Sequence, residues 1–67
     1  MSLEQFLKLA LEPQRGVRKG QHFANTLARH RYELFEKLRE EGLDPYYVDG
    51  LPWAVIEFVK NNWEEGN

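Results

Sequence analysis

Residues 18–41 read RKGQHFANTLARHRYELFEKLREE, and how this run divides decides the fold. At 100° per residue, Gly20, Phe23, Ala24 and Leu27 share one helical face, and Arg18, His22, Asn25 and Arg29 lie opposite. Tyr32, Leu34, Phe35 and Leu38 continue an apolar helical pattern to Glu41. Periodicity alone leaves open whether this is one helix or two. A single rod would be about 36 Å long, which is long for a chain of 67 residues. Compactness therefore favours a break near Arg31–Tyr32, giving helices over about 18–30 and 32–41. Gly42 then suits the position after the helix end, with Leu43 making the apolar contact of a Schellman motif.

The flanking segments read as two further helices. Ser2 with Gln5 forms a capping box ahead of Leu3, Phe6, Leu7 and Ala10, with Leu9 and Leu11 widening the stripe. Pro13 ends that helix near residue 11. Asp44-Pro45 reads as an N-cap and a first-turn proline opening only a turn or two. Pro52 then starts a last helix over 52–64, with Val55, Ile56, Val59 and Trp63 as its core stripe and Trp53 and Phe58 beside them. The expectation is an all-α fold, residues 1–67 forming one domain: a compact bundle of three principal helices plus a short N-terminal helix. The core is expected from Phe23, Leu27, Leu34, Phe35, Leu38, Val55, Ile56, Val59 and Trp63.

Composition narrows the function classes. The chain is 42% hydrophobic and 30% charged, with four Phe, three Tyr, two Trp and no Cys. That much apolar area argues against disorder. The absence of thiols excludes a disulfide framework and a thiolate metal site. So short a chain cannot build a Rossmann unit or a barrel. No stretch reaches the roughly 18 apolar residues of a membrane span. Met1-Ser2-Leu3-Glu4-Gln5 lacks a basic region and a cleavage site, so no secretory signal is expected and a cytoplasmic setting is the default.

The net charge of −2 hides a segregation. Residues 1–31 carry six Lys and Arg against two Glu, a net +4, and residues 32–67 carry three against nine acids, a net −6. No acid lies between Pro13 and Arg31. Such asymmetry marks a charged partner or two halves that attract each other.

Catalytic and metal chemistry finds little footing. His22 and His30 are eight apart, not the four that puts two imidazoles on one metal-facing turn. Asp44 to Gly50 lacks the alternating acids of a calcium loop. Besides the tyrosines, the hydroxyl residues are Ser2, a cap, and Thr26. No enzyme activity, metal or cofactor is expected. Arg15, Arg18, Lys19, His22 and Arg29 form a basic stripe able to track phosphates. A sequence pI of about 5.6 weighs against a dedicated nucleic-acid binder, as does the missing turn glycine of a helix-turn-helix. Glu33, Glu36, Glu40, Glu41, Asp44 and Asp49 form an acidic patch suited to a basic protein surface. Gln21 and Asn25, one turn apart, suit a structural role toward the Asp44 turn or helix 3, and amides can also read adenine. Tyr46, Tyr47, Trp53 and Trp63 are expected mostly in the core, with some left exposed for a partner.

Arg18-Lys19-Gly20-Gln21, Asn25, Leu27, Asp44-Pro45-Tyr46-Tyr47, Leu51-Pro52-Trp53 and Trp63 together resemble a group of small proteins of bacteriophages and other mobile elements. Their pattern runs R-x-G-Q-x-x-x-N-x-L, then D-P-aromatic-aromatic, then a hydrophobic-Pro-aromatic step into a last helix. The likeness covers about residues 18–63, and Gly20, Gln21, Asn25, Asp44, Pro45 and Pro52 are its structural positions. Members often carry Pro where this chain has Tyr32, which agrees with a helix break there. The resemblance implies a phage or mobile-element setting and no reaction. The function expected is a small non-enzymatic interaction module acting on a host protein. The alternatives are a nucleic-acid binder using the basic stripe and a purely structural protein. Self-association is left open, and no membrane partner is expected.

Overall fold

The computed structural model describes residues 1–46 and 50–64. Four helices follow in order: α1 (Leu3–Ala10), α2 (Lys19–His30), α3 (Tyr32–Glu40) and α4 (Trp53–Asn62). No strand occurs among the described residues. α2 packs against α1 and α3, and α3 against α4. The radius of gyration is 10.9 Å, the value of about 11 Å expected for a folded chain of this length. The fold is the small all-α bundle read from the sequence.

Each helix boundary has a local cause. Gln5 N–H donates to Ser2 Oγ (3.1 Å) and Ser2 N–H donates to Gln5 Oε1 (3.0 Å), closing the capping box of α1. The run 18–41 breaks at one residue. Arg31, at φ −144° and ψ 69°, caps the end of α2 and the start of α3 at once. Its N–H donates to the Leu27 carbonyl (2.7 Å), and its own carbonyl accepts from Phe35 N–H (3.0 Å). α3 ends in a complete Schellman motif. Leu43 N–H donates to Leu38 O (3.1 Å) and Gly42 N–H to Arg39 O (2.9 Å), with Gly42 at φ +73°. Pro52 caps α4 rather than opening it, and α4 covers Trp53–Asn62 instead of 52–64. The short helix expected after Asp44 falls partly on residues 47–49, outside the described residues. Pro45 itself is buried and not helical.

The core corrects the weight given to α1. Phe6 is fully buried and Ala10 nearly so, and both join Phe23, Leu27, Leu34, Leu38, Val55 and Val59 in one cluster. Phe6 meets Phe23 edge-on at 5.5 Å and lies 5.0 Å from the Trp63 ring. α1 is thus a full wall of the bundle, because three helices of this size leave one apolar side of α2 uncovered. Phe35, Ile56 and Trp63, expected in the core, pack against it while half-buried. Leu9 and Leu11 do not widen the buried stripe of α1; both are exposed.

Candidate functional site

The R-x-G-Q residues of α2 clasp the loop that begins at Asp44. A Cβ on Gly20 would collide with the Pro45 carbonyl oxygen and come within 2.7 Å of the Gly50 carbonyl oxygen. The close approach that Gly20 permits is therefore to loop backbone. Arg18 Nη2 donates to the Tyr46 carbonyl (2.7 Å), and Gln21 Nε2 donates to the Tyr46 hydroxyl (3.3 Å). Tyr46 N–H donates to Asp44 Oδ1 (3.0 Å), which turns the chain at Pro45. Gln21 thus reaches the loop that follows Asp44. Asn25 is exposed and makes no hydrogen bond among the described residues, so the part expected of it there is not seen.

This clasp breaks up the basic stripe. Arg18 is engaged with Tyr46. His22 is half-buried, and its Nε2 donates to the Leu9 carbonyl (2.8 Å), tying α2 to the end of α1. Arg15, Lys19 and Arg29 stay exposed and form no ion pair among the described residues. The one-residue link between α2 and α3 is also shorter than the roughly three- to four-residue turn of a DNA-binding helix-turn-helix.

The acidic patch is partly neutralised from within. Arg39 pairs with Glu36 at 3.2 Å and approaches Asp44 at 4.0 Å. Glu36 also accepts from the Tyr32 hydroxyl, and that bond with the carboxylate's charge raises the Tyr32 pKa above its ordinary value. Glu33, Glu40 and Glu41 are left exposed on and just after α3, with Lys37 among them. Asp49 lies outside the described residues.

A groove that sequence reasoning missed opens on the other side. It has a volume of about 380 Å³, between the α1–α2 connection, the start of α2, and the Gly50–Leu51 approach to α4. Ala10, Leu11, Val17, Leu51 and Ile56 give it apolar walls. Leu11 and Val17 are 47% and 37% exposed. Lys19 and His22 reach its lining from α2, and Glu12 contributes an acid. The available signal was Leu11 and Val17 themselves, apolar residues outside the buried helical period.

A second cleft of about 310 Å³ lies at the α2–α3 junction, lined by His30, Arg31, Tyr32, Lys37 and Trp63 among others. The Arg31 guanidinium lies 4.3 Å over the Trp63 ring and donates to the Met1 carbonyl (3.2 Å). The linker residue thereby ties Met1 and Trp63 to the junction. Trp53 is 63% exposed. Its ring lies 5.7 Å from Lys60 Nζ, and its Nε1 donates to Glu57.

Ser2 and Thr26 are both spent locally, Ser2 in the capping box and Thr26 Oγ1 on the His22 carbonyl (2.8 Å). Among the described residues no three His, Asp or Glu gather as a metal site. No described helix is long and apolar enough to cross a membrane. No family model, no curated protein and no solved structure matches this chain.

Proposed function

We propose that this chain is a small non-enzymatic protein-interaction module whose docking face is the groove between the α1–α2 connection and the start of α4. One observation carries the reading. A molecule with so few core residues leaves Leu11 and Val17 exposed beside half-buried Leu51 and Ile56, in a single concavity. A concavity with apolar side chains beside a few polar groups is the form that binding sites take. The acidic face of α3, the partner surface suggested by charge alone, is second to it, because Arg39 already takes up Glu36 and Asp44. A phage or mobile-element setting, with a host protein as partner, is the biological context that the sequence resemblance suggests.

The groove substitutions are at exposed positions, so that folding is preserved. Immobilised protein is used to capture partners from host lysate with and without nuclease treatment. A partner held by the native chain and by the triple variant E33K/E36K/E40K should be lost from Leu11→Glu/Val17→Glu, with helicity unchanged by circular dichroism. Retention of that partner by the groove variant sinks the reading. Capture that vanishes on nuclease treatment would transfer the assignment to nucleic-acid binding.

A further inference from the structure

We infer that two copies of this chain pair about a two-fold axis, each placing its Trp53 ring in the groove of the other. This rests on the reading of the groove as a docking face and names a second copy of the chain as its occupant.

The ring stands beside the groove. Trp53 is the most exposed of the described large apolar side chains, at 63%. It lies one helical turn before Ile56 on α4, next to the wall that Ile56 gives the groove. It does not line the groove of its own chain. The polar atom of its ring, Nε1, already donates to Glu57 Oε1 (3.0 Å), so the ring enters an apolar site with no donor left unpaired. The groove volume of about 380 Å³ is near the low end for ligand pockets. It suits one such ring and not a domain. A patch with both a projecting ring and a concavity is self-complementary, as a two-fold contact between identical surfaces requires.

Charge singles out this face. Across a two-fold axis each face meets its own copy. Arg15 and Arg29 are exposed in a stretch that has no acid from Pro13 to Arg31. Glu33, Glu40 and Glu41 outnumber Lys37 on and just after α3. Self-pairing of either of those faces sets like charges together, at a cost. The groove instead balances Lys19 against Glu12, and Trp53 has Glu57 and Lys60 beside it, one of each sign. His22, the remaining ionisable group in the lining, is already bonded to the Leu9 carbonyl. A second copy therefore meets apolar walls and no net charge. Pairing also covers Leu11, Val17 and Trp53, apolar area that so short a chain has too little core to bury.

The test is sedimentation velocity of the full chain over a concentration series, with NMR shifts followed over the same range. The native protein should be monomeric at about 1 μM and mostly dimeric at about 1 mM. The Trp53 indole N–H and the amides of Leu11, Val17, Leu51 and Ile56 should shift together as concentration rises. Trp53→Ala and Leu11→Glu/Val17→Glu should each weaken pairing at least about tenfold with helicity unchanged. Mixed in equal amounts, these two variants should pair more tightly than either does alone. The mixed dimer regains one contact, between the ring of the groove variant and the groove of the ring variant.

A monomer at about 1 mM, species larger than a dimer, shifts centred elsewhere, undiminished pairing of Trp53→Ala, or no gain on mixing would each overturn the inference. Capture of another protein, lost through Leu11→Glu/Val17→Glu and kept by Trp53→Ala, stands without a dimer. A dimer stands without such capture, so the two proposals fail separately.

Discussion

Gly20 shows how one residue can serve packing against its own helix propensity. Glycine costs a helix interior about 1 kcal/mol relative to alanine. Here that cost allows the Pro45 and Gly50 carbonyls to reach the α2 backbone. The bonds from Arg18 and Gln21 to Tyr46 form around the same approach. Gly20→Ala should therefore destabilise the protein by about 1–3 kcal/mol despite its better propensity, since both obstructing atoms are backbone. Urea denaturation measures this. A variant more stable than the native chain would show that the loop does not seat there. The pattern R-x-G-Q was visible in the sequence as a motif. The sequence offered the Asp44 turn as one target for Gln21, but not the seating of loop backbone on Gly20, because those atoms lie 25 or more positions away.

At the scale of elements, the α2–α3 junction is built without proline or a turn glycine. Arg31 alone leaves the helical region, and α3 starts at the very next residue. Tyr32 holds the first helical position, where an α-helix leaves its N–H unpaired and proline is welcome. Its side chain is exposed, with the Phe35 ring 6.2 Å away. Tyr32→Pro should be neutral or stabilising by up to about 1 kcal/mol, through a less free unfolded chain. A loss above about 1 kcal/mol in thermal or urea unfolding would mean that Arg31 cannot accept a following proline. Periodicity reached the two helices here but not the break itself, since an apolar stripe runs on across it. The break follows from compactness, which is a property of the whole chain.

At the scale of the molecule, α1 decides whether the core closes. Phe6 is wholly buried against Phe23 and Trp63, whereas Trp53, a larger ring, stands mostly in solvent. Phe6→Ala should cost about 3–5 kcal/mol, comparable to the entire stability of so small a domain. Trp53→Ala should cost less than about 1 kcal/mol. Paired urea melts check the contrast, with Phe6→Leu as a volume-sparing variant that stays folded. Equal losses at Phe6 and Trp53 would contradict the burial pattern. The charge segregation also takes its meaning at this scale. The described ion pairs of Arg39, with Glu36 and Asp44, lie within the acidic half. Arg15 and Lys19 are exposed, and Lys19 lines the groove together with Glu12.

The sequence by itself determined the helices, the capping box at Ser2, the Schellman stop at Gly42–Leu43 and most of the core stripe. These depend on spacing within a few residues, where 3.6-residue periodicity and cap chemistry act. Only the tertiary structure decided that α1 is a wall of the core, and that Gly20, Arg18 and Gln21 serve the loop after Asp44. It alone brought Leu11 and Val17 together with Leu51 and Ile56, from two stretches of chain, into one groove. Those outcomes turn on which apolar faces find each other in space. Sequence spacing carries no record of that when the partners are tens of residues apart.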